Sequence, residues 1–200
     1  MEPHEEDVLR RRVKAELRKR MRGLRQTMPA PACAERSARI VAALDAMPLG
    51  DAVALFWPIV ERHEVDLRAL DASLRARGAK VAYPSIHPDT REMTFRWARE
   101  ADLEERGLGF REPALDAPEA TPLSAIVVPA LAIDPSGHRL GYGAGFYDRT
   151  LPRFSPPAVT IAVAFDFQLL AEIPVTEGDV AVAHVVTDAR SLRVEADAHR

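Results

Sequence analysis

The chain has 200 residues with 47% apolar and 28% charged side chains, the balance of a globular chain of one domain, which excludes disorder throughout. No apolar run approaches the ~18 residues that span a bilayer. The N-terminus opens on Glu2, Glu5, Glu6 and Asp7, so no membrane segment or secretory leader is expected and the cytoplasm is the expected compartment. Cys33 is the sole cysteine and the six histidines show no metal-ligand spacing, which excludes an internal disulfide and structural zinc.

The net charge of -3 gives no reason to expect a surface built throughout for nucleic acid. The charge is nevertheless unevenly spread: nine basic residues between Val8 and Arg25 stand against one acid, Glu16. Val13, Leu17, Met21, Leu24 and Met28 are spaced by fours and threes, which predicts a helix from about Glu5 to Thr27 with that stripe on the core and Arg10, Lys14 and Arg18 along a second stripe. Pro29 and Pro31 end it, and a second helix is predicted from Cys33 to Met47. Ala52 to Trp57 is a short apolar run, as in a strand covered on both faces. Asp66 can cap a helix through Arg77, stopped by Gly78, and Lys80 to Tyr83 reads as the next strand, which completes a βαβ unit.

Met93 to Trp97 alternates like a half-exposed strand, and the proline-rich stretch that follows Phe110, up to Ser124, reads as a loop over the surface. Ala125 to Pro129 is the strongest buried-strand candidate. A glycine-rich loop, a short helix near Tyr147 to Leu151, and strands near Val159 to Phe165 and Ala181 to Thr187 follow. Residues 189–200 form a polar tail, either a last edge element or disordered. Strands alternating with helices predict a single three-layer α/β/α domain over residues 1–200, with a mostly parallel, Rossmann-like sheet and a basic N-terminal helix.

Chemistry concentrates in Arg139 to Arg149, RLGYGAGFYDR, directly after the Ala125 strand. Ligands of open α/β sheets sit beyond the carboxyl ends of strands. Gly141, Gly143 and Gly145 permit positive φ and bare backbone N–H groups, a nest suited to phosphate. Arg139 and Arg149 flank it, and Asp148 offers a hard oxygen for Mg²⁺. The same spacing also suits a tight strand-to-helix turn. Glu64 and Asp66 precede a helix, where acids equally complement its dipole. Asp179 can approach from a neighbouring strand or serve as a turn residue, and Arg10 and Lys14 are either a solvated face or a cationic wall. No Gly-x-Ser-x-Gly elbow occurs and Cys33 lacks an adjacent base, so covalent acyl chemistry has no nucleophile.

The runs IVVPALAID and GHRLGYGAGFYDRTL resemble the signature of the 5-formyltetrahydrofolate cyclo-ligases, also called methenyltetrahydrofolate synthetases. The basic N-terminal helix, EVD after the first strand, GLGFREP at Gly107 to Pro113 and LLAEIPVTEGDVAVAHVVTD extend the likeness over nearly the whole chain, in the family's order. The resemblance implies ATP-dependent closure of 5-formyltetrahydrofolate to 5,10-methenyltetrahydrofolate with release of ADP and phosphate, through a phosphorylated formyl (iminophosphate) intermediate, with Mg²⁺ as cofactor.

It further implies catalytic roles for Arg139 and Tyr147; ATP binding by Arg10, Lys14, Arg139, Leu140, Gly141, Tyr142, Gly143, Ala144, Gly145, Phe146 and Tyr147; folate binding by Trp57, Glu64 and Tyr147; and metal binding by Asp148 and Asp179. Arg10 and Lys14 exchange the family's Lys-then-Arg order, which a frame at Lys14 and Arg18 would restore. A monomer acting on two small-molecule substrates is expected, with no membrane and no specific nucleic-acid partner. The alternative is a non-catalytic relative whose basic helix binds nucleic acid or a phosphorylated ligand; the two differ in whether those cations face the glycine loop or solvent.

Overall fold

A computed structural model describes residues 3–107 and 109–195. In chain order its elements are α1 (Pro3–Gln26), α2 (Ala30–Asp45), β1 (Ala52–Ala54), α3 (Arg68–Ala76), β2 (Lys80–Ile86), β3 (Met93–Trp97), β4 (Glu104–Glu105), β5 (Arg111–Glu112), β6 (Ala125–Pro129), β7 (Ala132–Ile133), β8 (Arg139–Leu140), α4 (Phe146–Thr150), β9 (Val159–Val163), β10 (His184–Val186) and β11 (Ser191–Arg193). Seven strands form one sheet in the order β11-β10-β9-β6-β1-β2-β3. The five inner strands are parallel, and β3 and β11 close the two edges antiparallel. Residues 196–200 of the polar tail lie outside the described residues; its earlier part supplies β11, an edge strand.

Period-two alternation divides the inner strands between two apolar layers. Val53, Val127 and Ile161 face one layer, with Ile40 and Leu44 of α2 and Leu70 and Leu74 of α3 packed on it. Ala54, Ile126 and Ala162 face the other, covered by Leu151 and Phe154 just after α4. The expected α/β/α layering follows, with β1-α3-β2 as its βαβ unit.

Three local expectations change. Pro31 sits inside the first turn of α2, because proline's missing N–H costs nothing where the N–H has no intrahelical partner, so α2 starts at Ala30 and not Cys33. The proline-rich stretch is more than a surface loop: Ala120 N–H donates to Phe95 O at 2.8 Å, Trp97 N–H donates to Pro118 O at 2.9 Å, and Ala120 and Leu123 are buried. It thereby pairs the free edge of β3.

The third change concerns α1. Val13 and Leu24, expected on the core, are exposed, whereas Lys14, Met21, Arg25 and Met28 are buried. The helix does not lie on the main sheet. Met21 packs on Leu131, Ala132 and Leu140 of the β7–β8 hairpin, with Leu17 and Tyr142 beside it, so the inward stripe is part apolar and part cationic.

Candidate active site

The inner strands run β2-β1-β6-β9-β10 across the sheet. From β1 the chain crosses to β2 on one side, and from β6 it crosses to β9 on the other. Between β1 and β6 lies the switch point of a doubly wound sheet, where a crevice opens beyond the strand ends. A cavity of about 740 Å³ occupies that place, lined by Phe56 and Trp57 after β1 and by Pro129, Ala130 and Leu131 at the end of β6.

The β7–β8 hairpin carries Arg139 to its wall, buried to 7% exposure. Arg139 Nη2 donates to Asp148 Oδ1 at 2.8 Å, and the guanidinium lies 5.4 Å from the centre of the Tyr147 ring. Its buried Nε has no hydrogen-bond partner. Burial pulls the Arg139 pKa down and the charge of Asp148 pushes it back up, so the site holds a partly desolvated cation. The glycine loop follows. Gly143 (φ +105°) and Gly145 (φ +65°) occupy the left-handed region that favours glycine. Gly141 does not; its carbonyl accepts Arg18 Nε–H at 2.9 Å.

Two acids close the same side. Lys14, almost wholly buried, donates from Nζ to Thr176 Oγ1 at 2.9 Å and to the Asp179 carboxylate. Asp179 also accepts the Thr176 N–H at 2.7 Å. Burial alone would raise the Asp179 pKa, but the bonds from Lys14 and Thr176 outweigh it and hold the carboxyl below its ordinary range. Asp148 Oδ1 accepts the Val180 N–H at 3.2 Å, next to Asp179 in the chain. Both carboxylates line the cavity, as Lys14 and Arg18 do.

Across the cavity stands Glu64, 6% exposed. The helix-dipole explanation for this acid does not hold, because α3 begins only at Arg68; Asp66 Oδ1 instead receives the Arg68 N–H at 3.0 Å. Glu64 Oε2 accepts the Ile59 N–H at 2.9 Å and Oε1 accepts the Tyr142 hydroxyl at 2.7 Å. Buried Arg25 lies 4.0 Å from Glu64 Oε1 and donates to the Tyr142 oxygen. Burial, with the Glu64 charge beside it, pushes the Tyr142 hydroxyl up to about 12. Tyr147, also on the cavity wall, has its hydroxyl pKa raised by burial.

The cavity thus brings together Trp57, Glu64, Lys14, Arg139, Gly141 through Asp148, and Asp179. Two expected residues stand elsewhere. Arg10 is exposed, donates to Val175 O at 2.7 Å and pairs with Glu6, because one step back along the helix its side chain falls outside the cavity. Leu140 is buried in the apolar cluster around Met21. Of the two helix frames, Lys14 and Arg18 are the pair that both line the cavity. Arg62, not singled out from the sequence, lines the cavity 5.0 Å from the centre of the Tyr142 ring, and Arg25, likewise not singled out, does not line it but donates to the Tyr142 oxygen. A cation recurring on one helical face with Lys14 reads as solvated surface unless the apolar residues between are seen to pack.

Fold and site together define a doubly wound α/β protein with a phosphate-suited glycine loop at its switch point. The 5-formyltetrahydrofolate cyclo-ligase family model matches residues 10–188, and the chain belongs to that family. It is 42% identical over 131 residues to the 5-formyltetrahydrofolate cyclo-ligase of Mycolicibacterium smegmatis, covering 62% of this chain and 68% of that one. Against the enzyme of the same name from Escherichia coli, identity is 33% over 133 residues, covering 64% and 73%. The NMR structure of Aquifex aeolicus 5,10-methenyltetrahydrofolate synthetase superposes with a TM-score of 0.79 at 28% identity, over 94% of this chain and 99% of the other.

Proposed function

We propose that the chain closes 5-formyltetrahydrofolate to 5,10-methenyltetrahydrofolate at the expense of ATP, releasing ADP and phosphate. The observation that carries the reading is one cavity with two unlike walls: a glycine loop flanked by Lys14, Arg18 and Arg139, facing a buried carboxylate, Glu64, among aromatic rings. The first wall suits the phosphates of ATP and the second the N–H edge of a pterin. The substrate's formyl oxygen attacks the γ-phosphorus and ADP leaves; N10 then attacks the activated carbon, phosphate leaves with the former formyl oxygen, and the N10 proton is lost as the ring closes. No protein nucleophile is required. The work of the protein is to align donor and acceptor and to neutralise charge spreading over phosphate oxygens. Arg139, desolvated and with Nε uncommitted, is the cation placed for that second task.

Magnesium fits the donor set. Asp148 and Asp179 line the cavity with hard oxygens. That is the pattern of an ion held by one or two carboxylates and completed by phosphates and water. When bound, the ion would screen the polyphosphate charge. Thr176 and Lys14 hold Asp179, and Arg139 and the Val180 N–H hold Asp148, so both carboxylates are oriented by the chain itself.

In this reading the chain acts as a single-domain cytoplasmic monomer on two small-molecule substrates. No helix among the described residues is long and apolar enough to cross a membrane. The nucleic-acid reading is less well served at the cavity, where Lys14, Arg18 and Arg25 are engaged with Asp179, the Gly141 carbonyl and Tyr142; the other basic residues of the helix, Arg10, Arg11, Arg12, Lys19, Arg20 and Arg22, are exposed. The test is to mix protein, 5-formyltetrahydrofolate and Mg-ATP and follow the near-ultraviolet absorbance of methenyltetrahydrofolate. The reading expects absorbance to grow only with both substrates present; folded protein giving none would overturn it.

A further inference from the structure

Glu64 is held in an unusual way. Each of its oxygens already accepts one donor from the chain, Ile59 N–H on Oε2 at 2.9 Å and Tyr142 O–H on Oε1 at 2.7 Å. A carboxylate offers about two lone-pair sites on each oxygen, so one site on each remains. With both oxygens pinned the carboxylate plane cannot turn, and the free sites form a two-pronged acceptor for a flat ligand edge bearing two N–H groups. Tyr142 is pinned in turn. Buried Arg25 donates to its oxygen, so its proton points at Glu64, and the guanidiniums of Arg25 and Arg62 lie 5.7 and 5.0 Å from the centre of its ring. Tyr142 nevertheless belongs to the glycine loop by sequence, between Gly141 and Gly143.

We infer that Tyr142, oriented by Arg25, is a positioning residue for Glu64, so that one member of the phosphate loop sets the acceptor geometry of the folate wall. Tyr142 does not bind nucleotide through its side chain. Resting on the cyclo-ligase reading, the inference deepens it by assigning folate selectivity to a loop residue.

A double-mutant cycle on ligand affinity tests it, using Tyr142→Phe, Glu64→Ala and the pair, with calorimetric titration of 5-formyltetrahydrofolate and, separately, of Mg-ATP. Tyr142→Phe should weaken folate binding about tenfold, the size of one lost hydrogen bond to a charged group, and leave ATP affinity within about twofold. In the pair, Tyr142→Phe should add no further folate loss to Glu64→Ala, which leaves no acceptor for the hydroxyl to hold. Arg25→Lys, which keeps the charge but loses the fork, should fall on the same side, with folate weakened and ATP retained. Unchanged folate affinity in Tyr142→Phe, an equal loss for ATP, or additive losses in the pair would each overturn the inference. Wild-type protein that fails to bind folate at all would instead bring down the cyclo-ligase reading.

Discussion

Arg139 shows what burial does to a single side chain. Its guanidinium keeps one carboxylate partner, Asp148, and one buried N–H without any, an arrangement that leaves hydrogen-bonding capacity for a ligand oxygen. Arg139→Ala is expected to lower kcat by roughly 10², as loss of one aligned charged donor does, while Arg139→Lys restores the charge without the fork and recovers only part. Steady-state kinetics on both variants decide it; unchanged kcat with a lower Tm would make the residue structural. Asp179 supplies a test in pH. Its folded pKa lies below the ordinary carboxylate value because Lys14 and Thr176 donate to it. A depressed folded pKa contributes stability above the unfolded value, lost as pH falls through the folded one. The stability gap between wild type and Asp179→Asn should therefore be widest near neutrality and shrink as pH drops below about 4. Denaturant melts across that range measure it, and a constant gap would mean that Asp179 does not titrate against Lys14. At this scale the sequence exposed residue types but not their partners: Glu64 stood out as an acid before a helix, while its links to Tyr142 and Ile59 depend on chain segments brought together only by the fold.

Among the elements, α1 departs most from its sequence pattern. Spacing by threes and fours located the helix, but the same spacing fits more than one stripe, and the expected apolar one holds at Leu17, Met21 and Met28 and fails at Val13 and Leu24. Hydrophobic periodicity assumes that the buried partner is apolar. Here the partner is a hairpin beside a polar cavity, so Lys14 and Arg25 face inward with Met21. Two predictions separate the stripes. Met21→Ala should cost about 2–5 kcal/mol as a large-to-small core change, whereas Val13→Ser and Leu24→Ser, both exposed, should stay within about 0.5 kcal/mol; chemical denaturation reads both. For the cationic side, Lys14→Ala and Arg18→Ala should each raise the KM for ATP, and Arg10→Ala, whose side chain reaches Val175 and Glu6 away from the cavity, should leave it within about twofold. An equal rise in all three would indicate a diffuse basic field.

For the molecule as a whole, the parallel sheet was legible because its strands are short apolar runs and the amphipathic α3 lies between β1 and β2. The strand order, in which β6 returns beside β1 after the β2–β3 hairpin, was not, because it is set by long connections with little regular structure. What the sequence left open is the depth of the crevice between β1 and β6 and which residues reach it from α1 and from the loop around Thr176. Those approaches place the α1 cations Lys14 and Arg18 and the Glu64 wall within a single cavity, and the account rests on both substrates meeting there. The most direct measurement follows methenyltetrahydrofolate absorbance and phosphate release together in one reaction of the wild-type protein with 5-formyltetrahydrofolate and Mg-ATP. One phosphate for each methenyl product, with both traces abolished together when either substrate is omitted, is the predicted result. Phosphate released at the same rate without folate, or methenyl product formed without ATP, would contradict it.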